Sequence, residues 1–213
     1  MDVITRLEVL VMFHNENRTQ IAGVLGMSGA VFFFVGLLVE YHYGLFPPGS
    51  GTLYVINQIM FLVAMVCICG MLWQMRGMNV GGNGRFARIT LTIFSIGWAM
   101  LIVATLVSLL TGNPDNLLFP LGGLSNLLFG LLAGIAVARN KNWPGWGRFA
   151  LLLQALYYLL VMMVLPLVLT GSVEPTLLTE SLWMAIWFLV GLALWQESRR
   201  QMAGLAAPGS STS

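Results

Sequence analysis

Few side chains in this sequence could do chemistry. Within its long apolar runs the polar residues are Glu40, Asn57, Gln58, Ser95, Thr105, Asn126, Gln154, Tyr157, Tyr158 and Glu180. A polar group in such a run is costly to expose to lipid and belongs against protein or water. Leu72-Trp73-Gln74 and Leu194-Trp195-Gln196 are matching run endings. Superposing them sets Gln58 level with Glu180, each near the start of its run. Glu40 and His42 close the first run. These positions define a candidate vestibule of Glu40, Asn57, Gln58 and Glu180, whose carboxylates would attract cations and exchange protons. The alternative is that they mark the edge of the apolar layer.

Other chemistries lack their parts. The two histidines, His14 and His42, fall on opposite sides of the first run, which excludes a His-based triad, bis-His haem ligation and a His-rich metal site. The single lysine, Lys141, lies in a connection, so no Schiff base can form within the runs. Cys67 and Cys69 are two residues apart in one run and point to different helix faces; we read them as small apolar packing residues. Gly81-Gly82-Asn83-Gly84 has no P-loop lysine and reads as a turn. No catalytic set, metal site or cofactor is expected, and no soluble domain able to read nucleic acid.

Of the 213 residues, 58% are hydrophobic and 8% charged, with a mean hydropathy of +0.84. Soluble domains carry about 25% charged residues. Lipid must therefore be the solvent, and the fold class is an all-α polytopic membrane bundle. Six runs have the ~20 residues a spanning helix needs: 20–42, 52–75, 85–111, 116–138, 148–170 and 177–198. Gly/Pro turns separate them at Gly44–Gly51, Gly112–Asp115 and Gly171–Pro175. Residues 1–14 place Val3, Ile4, Leu7, Leu10 and Val11 on one face and predict a short interfacial amphipathic helix. The Gly/Ala/Ser/Pro-rich tail 201–213 is expected to be disordered.

The ten cations all fall at the termini or in the connections after the second and fourth runs. Glu40, His42, Asp115, Glu174 and Glu180 gather at the opposite end. The positive-inside rule then puts both termini in the cytoplasm of a cell (inner) membrane protein.

The tetrapeptide Gly84-Arg85-Phe86-Ala87 recurs as Gly147-Arg148-Phe149-Ala150, each copy opening a run, with a degenerate copy at Asn17-Arg18-Thr19-Gln20. Arg18, Arg85 and Arg148 read as cytoplasmic topology anchors. The chain up to residue 200 is one membrane domain of three tandem helical hairpins, 17–76, 83–139 and 146–199, related by an axis along the membrane normal.

Two packing signals stand out. Gly122, Asn126, Gly130, Gly134 and Ala138 form a small-residue stripe at i+4 spacing. It serves either packing within the bundle, with Asn126 hydrogen-bonded to a neighbour, or a contact between protomers. Trp183, Trp187, Gly191 and Trp195 form a second stripe. It reads as lipid-facing packing or, with Tyr157 and Tyr158, as a groove for a lipid, quinone or pigment.

Arg18 before the first run, Phe34-Val35-Gly36-Leu37-Leu38 within it, and the Gly/Pro outward turns give the chain an architecture that resembles the HdeD-like short-repeat membrane proteins of bacteria. That resemblance implies a non-enzymatic envelope or acid-stress protein and supplies no catalytic residue. The leading expectation is a non-catalytic, envelope-associated assembly component, surrounded by membrane lipids and forming a homo-oligomer or part of a larger membrane complex. The alternatives are a small transporter or channel for protons, cations or a small solute, and a lipid-, quinone- or pigment-binding subunit.

Overall fold

Long apolar segments bounded by Gly and Pro fold into helices because a helix satisfies every backbone group internally, as lipid demands. The computed structural model describes residues 3–45, 51–111, 116–140, 143, 145–171 and 176–206, with 3–16, 170 and 201–206 in backbone only. The elements are α1 (Val3–Tyr43), α2 (Thr52–Gly77), α3 (Arg85–Thr111), α4 (Leu118–Arg139), α5 (Gly147–Tyr157), a π-helical segment (Tyr158–Val164), α6 (Leu165–Thr170) and α7 (Leu177–Ala206). There is no strand among the described residues. Six stretches are long and apolar enough to cross a membrane: Asn17–Tyr43, Thr52–Gly77, Arg85–Thr111, Leu118–Arg139, Gly147–Leu169 and Leu177–Arg200.

Consecutive spans pack against each other, as tandem hairpins require, and α7 returns to pack extensively against α1. The result is a closed ring: α1, α2, α3, α4, the fifth span, α7 and back to α1. Glycines make the closing contact possible. A Cβ on Gly191 would lie 2.5 Å from the Met27 nitrogen and 2.8 Å from the Gly23 carbonyl oxygen, and one on Gly23 would lie 2.7 Å from the Trp195 nitrogen. The backbones of α1 and α7 therefore touch, in the manner of small-residue crossings in membranes.

Several expectations change in detail. Residues 3–14 are helical, but they continue α1 without a break and form no separate interfacial helix. α7 runs on to Ala206, so the start of the expected tail is helical; residues 207–213, the Pro and Asp residues of the outward turns, and Lys141 lie outside the described residues. In the repeated tetrapeptide Ala87 and Ala150 are both buried, whereas Gln20 of the degenerate copy is exposed and Thr19 is buried instead. The first copy thus enters the bundle one residue out of phase.

The fifth span is the irregular one. Pro166 has no N–H to donate, and its ring would collide with the carbonyl four residues earlier in a regular helix. The chain widens just before it. The Leu165 N–H bonds to the Leu160 carbonyl, five residues back, at the end of the π-helical segment. Such widened turns sit frequently at functional sites.

Candidate functional site

The small-residue stripe of α4 is used inside the chain. Gly122 faces Leu101 and Gly130 faces Phe94, both of α3, while Gly134 faces the backbone of Leu152 in α5. Ala138 is half-buried beyond them. Asn126 is buried against Gly97, yet its Oδ1 has no partner; Ser125 makes the cross-helix bond instead, donating to the Ile93 carbonyl at 3.3 Å. The hydrogen bond expected of Asn126 is thus not made by its Oδ1.

Helical spacing sets up the interior of the ring. On α1, Phe33, Leu37 and Glu40 recur at intervals of four and three and share a face. Tyr54, Gln58, Phe61 and Met65 do the same on α2, Trp98, Leu101, Thr105 and Ser108 on α3, and Glu180, Trp183 and Trp187 on α7. These faces enclose two adjoining chambers at the end of the bundle away from the cations.

The first chamber, about 320 Å³, is lined by Glu40 and Leu37 of α1, Tyr54 and Gln58 of α2, Thr105 and Ser108 of α3, Phe119 of α4 and Glu180 of α7. Three of the four predicted vestibule residues, Glu40, Gln58 and Glu180, thus share one cavity. Asn57 is not on its wall. It is fully buried beside it, with both amide atoms unpaired.

The hydroxyls of Thr105 and Ser108 on this wall have local partners. Thr105 donates to the Leu101 carbonyl at 2.9 Å, and Ser108 Oγ accepts from the Asn116 amide at 3.1 Å. The carboxylates are different: no Arg, Lys or His is among the described residues lining either chamber.

The second chamber, about 250 Å³, continues inward. Phe33, Met65 and Glu180 line both, so Glu180 stands at the junction. Its remaining wall is Trp98 and Leu101 of α3, Tyr158, Met162 and Met163 of the π-helical segment, and Trp183 of α7. The rings are in mutual contact: Trp98 stacks on Trp183 with centroids 6.2 Å apart, and Tyr158 lies 5.0 Å from Trp183. The indole N–H groups of Trp98 and Trp183 are buried and have no partner.

Trp183 and Trp187 of the tryptophan stripe on α7 therefore face inward. Trp187 is 0% exposed and meets Trp98 edge-on at 5.4 Å, which corrects the expectation of lipid-facing packing. Tyr158, Trp183 and Trp187 gather there, whereas Tyr157 does not line the chamber. Its hydroxyl donates to the Thr179 carbonyl at 3.0 Å. That bond acts with a reciprocal cap, in which the Thr176 N–H bonds Thr179 Oγ1 and the Thr179 N–H bonds Thr176 Oγ1, at 3.0 and 3.2 Å. Together they anchor the first turn of α7, one residue before Glu180.

No family model matches the chain, and no curated protein or solved structure is significantly similar to it. Its chemistry must be read from the cavity alone.

Sequence reasoning missed Trp98, Phe33, Phe61 and Tyr54. An aromatic in an apolar run carries no local signal of facing, although Trp98 lies midway along its span. Arg18, Arg76, Arg85 and Arg148, at the cation-rich end, show no ligand-like geometry among the described residues. The Arg148 guanidinium sits 4.5 Å over the Phe149 ring and Arg76 sits 4.8 Å over Trp73; Arg85 is exposed, and Arg18 is half-buried beside Gly77.

A third cavity of about 240 Å³ opens at the cation-rich end, lined by Thr19, Asn83, Trp143, Leu194 and Glu197 among others. On α7 the wall of the aromatic chamber ends at Trp183 and that of the third cavity begins at Leu194. Trp187 and Val190, between them, are both fully buried and close the path.

Proposed function

We propose that this integral membrane protein is a small carrier that takes a cation, or a small cationic solute, into an acidic cavity in the outer half of its bundle. The observation that carries the reading is one chamber walled by Glu40 of the first span and Glu180 of the last, with no basic residue among the described residues of the wall. Two carboxylates in a low-dielectric, water-poor site attract a positive guest strongly. The buried plug of Trp187 and Val190 between two cavities favours a carrier over an open pore. The assembly reading drew on small-residue faces, and α4 spends its own within one chain.

By the positive-inside rule the cation-rich end and both termini are cytoplasmic, so the acidic chamber opens outward in a cell membrane. The tandem-hairpin architecture resembles that of the HdeD-like proteins, and the resemblance supplies no guest for the cavity. The test is flux of protons, alkali cations and a small organic cation, tetramethylammonium, into proteoliposomes. The wild type drives measurable uptake and Glu180→Gln abolishes it. No flux, or flux indifferent to the substitution, overturns the reading.

A further inference from the structure

The acidic chamber does not end at the carboxylates. Past Glu180 it continues into a space of similar size whose wall is ring and thioether: Phe33, Trp98, Tyr158, Trp183, Met65 and Met162. A bare metal ion has no use for such a wall. Hard cations want oxygen ligands on several sides, and no group of three or more His, Cys, Asp or Glu occurs among the described residues. Aromatic faces do attract a diffuse cation, above all when water is excluded, and ring and thioether surfaces suit a flat apolar body.

We infer that the two chambers form one binding site for an organic monocation with an aromatic body, its charge between Glu40 and Glu180 and its ring among Trp98, Tyr158 and Trp183. This rests on the carrier reading and narrows it to a substrate class. The π-helical segment then serves the site: the widened turn before Pro166 presents Tyr158, Met162 and Met163 to the ligand from one short stretch.

The experiment is equilibrium binding of tritiated benzyltrimethylammonium to the full chain in lipid nanodiscs, with empty nanodiscs subtracted. Saturable binding near one per chain is expected. Tetramethylammonium, which keeps the charge and lacks the ring, competes about tenfold more weakly. Neopentylbenzene, the neutral carbon isostere, does not compete. Tyr158→Leu weakens binding about tenfold, Tyr158→Phe retains it, and Glu180→Gln removes it, each in protein that stays monodisperse by size exclusion. Displacement by neopentylbenzene as effective as by the cation overturns the inference and makes the chamber an apolar groove. Glu180-dependent alkali-cation flux without saturable benzyltrimethylammonium binding also overturns it, while the carrier reading stands. Binding and flux both indifferent to Glu180 overturn the two together.

Discussion

Asn57 shows how much a single buried amide matters here. It is completely buried, and neither its nitrogen nor its oxygen finds a partner. An unsatisfied buried polar group costs about 1–3 kcal/mol. Asn57→Leu should therefore stabilise the protein by about 1 kcal/mol, read from reversible unfolding in mixed micelles. A loss of stability would mean that the amide has a partner, such as bound water. Residue-scale chemistry was partly legible in the sequence. Glu40, Gln58 and Glu180 stood out because any charge or amide in an apolar run is conspicuous. Asn57 was equally conspicuous but sits one position off the lining stripe, and in a helix one position is enough to turn a side chain away. Trp98 gave no warning, because a tryptophan toward lipid and one toward the bundle read alike.

At the scale of elements, the closing contact of α1 on α7 is the tightest backbone approach that the glycines allow. Gly191→Val has nowhere to place its side chain except against Met27 and Gly23. Overpacking of this kind costs about 1–3 kcal/mol, and at about 2–4 °C per kcal/mol for a chain of this size the melting temperature in detergent should fall by several degrees. An unchanged melting temperature would mean that the two helices separate without penalty. The positions of the spans were legible to within a few residues, since length and hydropathy alone decide them. Their facing was not. Lipid is as apolar as the bundle core, so the contrast between inside and outside that marks a soluble amphipathic helix is faint here. The π-helical segment was hidden for another reason: Pro166 announces a disturbance, but not which way the turn relaxes.

For the whole molecule, the even number of spans and the clustering of the cations make one prediction. A green fluorescent protein fused after Ser213 should fluoresce, and an alkaline phosphatase fused at the same point should be inactive, because both would remain in the cytoplasm. The reverse pattern would invert the bundle and turn the acidic chamber inward. The tandem plan of three hairpins was visible in the recurrence of Gly84-Arg85-Phe86-Ala87 at Gly147-Arg148-Phe149-Ala150. The closed ring was not, because no sequence repeat states that the first helix and the last must meet.

That closure has a consequence for how the protein is made. Gly23 and Gly26 emerge from the ribosome roughly 165 residues before Gly191, the partner that covers them. At ~5–20 residues per second, α1 waits ~10–30 s in the bilayer with its glycine face uncovered and the α7 side of the cavity, Glu180 and Trp183, unmade. During that interval the nascent chain has a groove open to lipid, and an insertase or another helix that shields it would hold the first hairpin in place until the last one arrives.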